Sequence, residues 1–213
     1  MKTLKIIMLI GAIVAFEITL NAACQVTSDP DAWENRHNSY QPPEQVMDSI
    51  GVKSGMIIAE VGAGRGRYAV HMARRVGDAG KIYANDIDKR ALEYLNYRCQ
   101  RDSIPNVVTI LGKVTDPLLP RGELDMVYII NTYHHFEKPV EIMKNIVPSL
   151  KPEGNLVIIE HDRQKAPNLS SESTTAKKVL LKQADQAGFK LIKIHTFLSR
   201  DNIYIFRTKK QIR

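Results

Sequence analysis

The sequence predicts an α/β fold: a Rossmann-like, doubly wound, mainly parallel seven-stranded sheet with an antiparallel last strand and helices on both faces. Three observations predict it. Seven short apolar runs alternate with helical patterns along most of the chain, which is typical of a parallel sheet covered by helices. A glycine cluster follows the first apolar run. The last two runs lie too close together for a parallel crossover, so they are expected to pair antiparallel.

Length and composition limit the function classes. The 213 residues suit one domain with a substantial core, or one domain and a targeting segment. The net charge is +7, but the basic residues are scattered and no aromatic-interleaved basic stripe occurs, so nucleic acid is not an expected partner. Two cysteines are too few for a disulfide framework.

The first residues predict export. Lys2 and Lys5 precede an apolar stretch over residues 6–16, and small residues follow before Cys24, which is the pattern of a secretory signal. The segment also resembles a bacterial lipoprotein box that would acylate Cys24, although Asn21 stands where that box usually has leucine. We therefore expect a cell-envelope location, with membrane attachment through the N-terminal segment or an acylated Cys24 as alternatives to simple export. The expected organisation is residues 1–24 as this signal, 25–41 as a linker or N-terminal extension, and 42–213 as the domain.

The elements follow from local pattern. Residues 25–40 are polar without periodicity, and a helix is expected from the proline pair at 42–43 through residue 50, because proline is tolerated in a first helical turn. Further helices are expected where apolar residues recur at helical spacing, and strands where the apolar runs are compact. The predicted strands are 56–61, 81–86, 107–111, 124–130, 155–160, 190–195 and 203–206, and the predicted helices are 67–76, 89–101, 140–150 and 174–187. Residues 151–154 are expected to form a turn.

The glycine cluster lies at a strand-to-helix turn. Glycine there permits positive φ and lets the backbone approach a ligand, and the N–H groups at the helix start favour an anionic or carboxylate-bearing group. Asp86 ends the second apolar run, where a carboxylate can accept hydrogen bonds from ribose hydroxyls. These two features predict a nucleoside-containing cofactor. A structural glycine turn in an unrelated α/β protein is the alternative.

The spacing of the glycines distinguishes between cofactors. The dinucleotide fingerprint is G-x-G-x-x-G, whereas this chain has G-x-G-x-G over 62–66, with Glu60 two positions before it. That form resembles motif I of the class I S-adenosylmethionine-dependent methyltransferases, and the resemblance covers most of residues 42–207. It implies S-adenosyl-L-methionine as cofactor, with the glycine bend under its methionyl part, Glu60 near its amino group and Asp86 on its ribose. The implied cofactor-binding residues are Glu60, Gly62, Ala63, Gly64, Asp86, Ile87, Lys113, Val114 and Asn131.

The chain departs from the pattern of this family at one position, and the resemblance also suggests a class of methyl acceptor. Lys113 stands where many members of the family have an acid that reads the adenine amino group, so the backbone of Lys113 and Val114 is expected to recognise adenine. The stretches 133–136 and 151–156 are similar to later motifs of small-molecule methyltransferases, including the ubiquinone/menaquinone C-methyltransferase group. Residues 131–134 lack the paired proline of the signature used on amino groups of planar targets. A small-molecule methyl acceptor is expected.

Candidate catalytic residues lie at the strand ends, where open α/β sheets bind ligands. His134 is the first candidate base and His161 the second, because histidine can take a proton near neutral pH. A structural role, such as capping the helix that follows, is the alternative for the His134–His135 pair. No metal is expected, because the chain has no ligand spacing of the H-E-x-x-H type.

Two other function classes stand beside methyl transfer. A non-catalytic cofactor-binding or interaction module of the cell envelope would keep the glycine turn and Asp86 without turnover. A nicotinamide-dependent oxidoreductase is disfavoured by the glycine spacing and by Glu60. Methyl transfer is the preferred function, as an in-line displacement that needs alignment of the nucleophile with the methyl group and exclusion of water.

Overall fold

A computed structural model describes residues 30–212 of the chain. The helices are α1 Pro30–Tyr40, α2 Pro43–Ile50, α3 Arg67–Val76, α4 Lys89–Arg101, α5 Pro139–Ile146 and α6 Lys177–Gln186. The strands are β1 Ile57–Val61, β2 Lys81–Asp86, β3 Val107–Leu111, β4 Leu124–Ile130, β5 Leu150–His161, β6 Phe189–His195 and β7 Asp201–Thr208. The N-terminal signal predicted over residues 1–24 lies outside the described residues. Within those residues, no helix combines the length and apolarity needed to span a bilayer.

The predicted sheet is confirmed. Its seven strands run in the order β3-β2-β1-β4-β5-β7-β6. Strands β1 to β5 pair in parallel with one another, and β7 is antiparallel to both β5 and β6. The chain proceeds from β1 outward to β3 and then returns to place β4 on the other side of β1. The carboxyl ends of β1 and β4 therefore border the crevice in which such sheets bind ligands.

Each face of the sheet buries a separate apolar cluster. One cluster packs α2, α3 and α4 against the sheet, and the other packs α5 and α6 on the opposite face. In α3, Val70, Ala73 and Val76 recur at helical spacing and are buried. Asp88 caps the N-terminus of α4, because its Oδ1 accepts the N–H groups of Arg90 and Ala91. Helices therefore cover both faces of the sheet and leave the ends of its strands open.

Helix α1 is a difference from the expected polar linker. Its residues have no apolar face, so sequence periodicity gives no signal for a helix there. The helix is instead held by polar contacts to the domain. Glu34 accepts hydrogen bonds from the Arg98 guanidinium at 2.6 and 2.8 Å, and Asn38 accepts one from Arg67. Tertiary contacts thus supply the stability that local pattern does not.

Strand β5 also differs from the prediction. Residues 151–154 continue the strand instead of forming a turn, and the strand begins at Leu150. The pairing with β4 changes register between Leu124↔Leu150 and Met126↔Asn155, so the extra residues form a bulge. The predicted helix over 140–150 is correspondingly shorter, since α5 ends at Ile146 and a 3₁₀ turn, Val147–Ser149, leads into the strand. The last predicted helix begins at Lys177, three residues later than expected.

Candidate active site and cofactor groove

The glycine turn joins β1 to α3 with its backbone open. Gly62 and Gly64 have φ values of 82° and 53°, in the left-handed region that glycine enters readily. A Cβ at Gly62 would lie 2.2 Å from the Thr132 side chain, whereas a Cβ at Gly64 would meet no atom within 4 Å. Glycine at 62 therefore allows close packing, and glycine at 64 presents bare backbone to open space.

Asp86 points at this turn from the end of β2. Its Oδ2 accepts the N–H of Gly64 at 2.7 Å, and its Oδ1 accepts the N–H of Asp88 at 2.9 Å. A carboxylate offers about four lone-pair sites, so both oxygens keep capacity for ligand hydroxyl groups. Asp86 therefore orders the glycine turn, a role that its sequence position did not reveal.

Two adjoining cavities meet at the turn and form one groove. The first, of about 420 Å³, is lined by Asp86, Ile87, Lys113 and Val114. The second, of about 550 Å³, is lined by Glu60, Ala63, His134, His161 and residues of α1. The residues that border both cavities are Gly62, Gly64, Asn131, Thr132 and His135. All nine predicted cofactor-binding residues and both candidate bases thus lie along one groove.

Glu60 is a buried carboxyl at the end of β1. Only 4% of it is exposed, and its Oε2 accepts a hydrogen bond from the Tyr128 hydroxyl at 2.9 Å. Burial raises the pKa of Glu60 to about 8, against the opposing effects of the Tyr128 hydrogen bond and the Arg67 charge. A buried carboxyl beside a cavity is suited to a cationic ligand group, which would favour its ionised form.

A second buried network holds Asn131, which has a φ of 50°. Its Oδ1 accepts a hydrogen bond from Gln41 Nε2 at 3.0 Å, and Gln41 Oε1 accepts one from Arg67 at 2.7 Å. Tyr68 also joins the network, because its hydroxyl donates a hydrogen bond to the backbone carbonyl of Gln41. Sequence reasoning missed this support, since a lone glutamine after a polar segment carries no motif.

Each candidate base is paired with a buried carboxylate. His134 Nδ1 lies 2.9 Å from Glu160 Oε1, and His161 Nδ1 lies 2.5 Å from Asp201 Oδ1. Both carboxylates are 1% exposed. A carboxylate only accepts, so each Nδ1 carries a proton and donates it, and each Nε2 is the ring nitrogen outside the pair. Sequence reasoning found the two histidines, whereas their partners were missed because the pairings span 26 and 40 residues.

Helix α1 forms the outer wall of the larger cavity. Trp33, Glu34 and His37 line it, and the Trp33 and His37 rings lie 4.0 Å apart between centroids. Arg67 lies over the Trp33 ring at 5.9 Å. The cavity lining therefore includes aromatic side chains of α1 as well as the two histidines. Within residues 30–212, no group of three or more histidine, cysteine or acidic side chains is arranged to hold a metal ion.

The fold and the groove define an α/β protein with a ligand-sized crevice at the ends of its parallel strands, and comparisons with known proteins specify the class. A family described as a methyltransferase domain matches residues 58–154. A probable cobalt-precorrin-6B C(15)-methyltransferase of Sulfolobus acidocaldarius is 28% identical over 161 residues, covering 74% of this chain and 81% of the relative. A ubiquinone/menaquinone biosynthesis C-methyltransferase of Laribacter hongkongensis is 24% identical over 57% of this chain and 49% of its own length.

Solved structures agree on the fold. An S-adenosylmethionine-dependent methyltransferase from Aquifex aeolicus superposes with a TM-score of 0.75 at 20% identity, covering 83% of this chain and 95% of that chain. A geranyl diphosphate C-methyltransferase from Streptomyces coelicolor, solved with S-adenosyl-L-homocysteine, gives a TM-score of 0.66 at 13% identity, covering 82% and 81%. This chain is an S-adenosylmethionine-dependent methyltransferase, with S-adenosyl-L-methionine as its cofactor.

Proposed function

We propose that this enzyme transfers the methyl group of S-adenosyl-L-methionine to a small-molecule acceptor bound in the larger cavity. One observation carries the proposal: a single groove joins Asp86, across the open glycine turn, to the two histidine–carboxylate pairs. The cavity volume of about 550 Å³ is within the range of small-molecule sites. The cobalt-precorrin and quinone-biosynthesis enzymes named above support a small acceptor. A relative named protein-L-isoaspartate O-methyltransferase, 27% identical over 113 residues, makes a protein acceptor the alternative.

The residues of the groove fit the cofactor. The bare backbone at Gly64 has room for a ligand against it, and the buried Glu60 is suited to the methionyl ammonium. In this proposal Asp86 accepts the ribose hydroxyls, Ile87 covers the adenine, and the backbone at Lys113 and Val114 reads its edge. Bound there, the cofactor supplies a methyl carbon activated by positively charged sulfur.

The protein contributes alignment, exclusion of water and a base. Helix α1 covers the acceptor cavity, and the side chain of His134 is only 6% exposed, so the reacting atoms are shielded from solvent. His134 is assigned as the base, because Glu160 holds its Nδ1 and leaves Nε2 to take the proton of the methyl acceptor. His134 also lies two residues after Thr132, which borders both cavities together with Asn131.

The test separates an enzyme from a binding module. Calorimetry measures binding of S-adenosyl-L-methionine, and formation of S-adenosyl-L-homocysteine in the presence of a small-molecule extract measures turnover. We expect binding together with turnover, and we expect His134→Gln to retain binding while turnover falls about a hundred-fold or more. Binding without product from wild-type protein, in extract or with added protein acceptors, would favour the non-catalytic module. Tighter binding of NADH than of S-adenosyl-L-methionine would contradict the cofactor assignment.

The proposal extends to a location in the cell envelope. Its support is the sequence pattern of residues 1–24: a basic start, a short apolar stretch and small residues before Cys24. Fractionation of cells that express the full chain tests it. We expect the protein in the envelope fraction, and lipid labelling that is lost in Cys24→Ser if the lipoprotein alternative holds. Full-length, uncleaved protein in the cytosol would contradict the envelope location.

A further inference from the structure

The two histidine–carboxylate pairs are built into one wall of the acceptor cavity. His161 and Asp201 are register partners across the antiparallel strands β5 and β7, and Glu160 directly precedes His161. The His134 and His161 rings are stacked, with centroids 5.8 Å apart and planes inclined by 27°. Both rings line the cavity of about 550 Å³. They therefore offer two imidazole rings side by side to the same ligand.

The second pair is held in place by further contacts. Lys165 Nζ donates to the carbonyl of Asp201 at 2.8 Å and to the carbonyls of Thr196 and Leu198 at 2.7 and 2.9 Å. One ammonium thus fixes the segment that leads into β7 and places the Asp201 carboxylate beside His161. The Asp201 carboxylate only accepts hydrogen bonds, so the His161 Nδ1 carries a proton and donates to it.

Methyl transfer to a neutral hydroxyl group releases one proton, and one base is enough to take it. His134, the base assigned above, meets that need and lies two residues after Thr132, which borders both cavities. His161 also borders a third cavity with Asp162 and Tyr204. Proton transfer therefore does not account for the His161 imidazole. A second hydrogen-bond donor on the methyl acceptor accounts for it.

The rest of the cavity indicates a flat acceptor. Trp33 and His37 form an aromatic wall on α1, and aromatic rings pack well against such side chains. Two hydroxyl groups on neighbouring carbons of one ring can each form an O–H···N bond of about 2.8 Å, one to each of two imidazoles 5.8 Å apart. Because the same cavity also holds the methionyl end of the cofactor, the acceptor is small.

Resting on the proposed function, we infer that the acceptor is an aromatic compound with two neighbouring hydroxyl groups. One hydroxyl group binds His134 and is methylated, and the other donates to His161. As the bond from oxygen to the methyl carbon forms, the O–H proton passes to His134 Nε2. The carbon–sulfur bond breaks with its electron pair left on sulfur, and the proton is later lost to solvent. His134 is the catalytic residue, His161 selects the acceptor, and Glu160 and Asp201 are positioning residues.

The experiment compares three probes at saturating S-adenosyl-L-methionine: 1,2-dihydroxybenzene, 1,4-dihydroxybenzene and phenol. Formation of S-adenosyl-L-homocysteine gives kcat/KM for each. We expect the 1,2-isomer to exceed both others by about ten-fold, the effect of one hydrogen bond. His161→Gln and Asp201→Asn should each reduce that ratio below about three-fold by lowering kcat/KM for the 1,2-isomer most. His71→Gln, on α3 and outside the cavity, is the matched control and should keep the full ratio.

Several results would overturn the inference. One is equal kcat/KM for phenol and the 1,2-isomer in the wild type, and another is a ratio unchanged in both His161→Gln and Asp201→Asn. Turnover of an extract acceptor with none of the three probes would also overturn it while leaving the proposed function intact. Absence of product with every probe and with extract, despite binding of the cofactor, would instead refute the proposed function. Retention of a cofactor-induced rise in Tm shows that each variant is folded.

Discussion

Asp86 has a structural role in addition to the ribose-binding role proposed for it. It holds the N–H of Gly64 and the N–H of Asp88, so the glycine turn is shaped before a ligand arrives. Such preorganisation reduces the entropy that binding would otherwise cost. The proposed ribose contacts use the lone pairs that these two hydrogen bonds leave.

Asp86→Ala is therefore expected to weaken binding of S-adenosyl-L-methionine by about ten- to a hundred-fold, because hydrogen bonds to a charged group are worth about 1.5–3 kcal/mol each. Asp86→Asn should lose less, since its amide oxygen can still accept from Gly64. Calorimetry measures both. Asp78→Ala, an exposed aspartate in the loop after α3, serves as control and should bind like wild type. Equal affinity for Asp86→Ala and wild type would mean that the nucleoside lies elsewhere.

Glu60 predicts a pH dependence of binding. Its pKa of about 8 in the free protein arises from burial, and a methionyl ammonium beside it would lower that pKa, so binding releases a proton below pH 8. Affinity should accordingly rise about ten-fold or more between pH 6 and pH 8 and level off above. Glu60→Gln should bind more weakly and lose this dependence. Calorimetry in two buffers of different ionisation enthalpy measures the released proton directly, and its absence in wild type would refute the contact.

The Glu60 carboxyl also affects the stability of the cofactor-free protein. This stability should fall as pH rises, whereas the affinity for the cofactor should rise. Its pKa in the fold, about 8, lies above the ordinary value of 4.5, so between these values the folded protein binds more protons than the unfolded chain. This contribution to stability is present below about pH 4.5 and is lost as pH rises toward 8. Glu60→Gln should therefore raise the Tm of the cofactor-free protein at pH 8 relative to wild type, even as it weakens binding. Unchanged Tm at pH 8 would contradict the buried ionised carboxyl.

The strand and helix pattern shows what sequence could and could not predict. Strands with continuous apolar runs, such as β1 and β4, and helices with a buried stripe, such as α3, were predicted nearly to their ends. Helix α1 was missed because it depends on the Glu34–Arg98 pair, 64 residues apart. The start of β5 was missed because a proline and a glycine read locally as a turn, whereas pairing with β4 extends the strand.

The Glu34–Arg98 pair is expected to hold α1 on the domain, and this expectation can be tested. Both side chains are 13% exposed, and removing one partner of such a pair leaves the other charge poorly solvated. Glu34→Gln is expected to loosen α1 locally, because that helix has little apolar surface to hold it. Hydrogen exchange should accelerate about ten-fold or more over residues 30–40, while β1, β4 and β5 keep wild-type protection.

The matched control for α1 is Glu44→Gln on α2. Glu44 also pairs with an arginine, Arg75, but it is largely exposed, and exposed pairs contribute little to stability. Exchange over residues 30–40 should stay at the wild-type rate in this variant. Equal acceleration in both variants, or in neither, would show that the Glu34–Arg98 pair does not hold α1 on the cavity.

The molecule as a whole concentrates its polar groups at one edge of a rigid apolar body. Glu60, Asp86, Asn131 and Glu160 come from the ends of β1, β2, β4 and β5, and the parallel strand order brings those ends together. Sequence position predicted that convergence, because the carboxyl ends of parallel strands meet at one edge. The partners Gln41 and Asp201 could not be predicted, since they come from a helix junction and from an antiparallel strand whose register is set only by folding.

Because residues from four strands and from α1 line the groove, a ligand bound there is expected to stabilise the whole fold. At a concentration one hundred times its Kd, S-adenosyl-L-methionine should add about 2.7 kcal/mol to the free energy of unfolding. For a domain of this size the expected rise in Tm is about 5–10 °C. S-adenosyl-L-homocysteine should act similarly, since it keeps the nucleoside and amino-acid ends. NADH at equal concentration should leave Tm unchanged, because the G-x-G-x-G turn lacks the third glycine position of a pyrophosphate site. Thermal unfolding with the three ligands measures this, and a larger rise with NADH would contradict the identity of the cofactor.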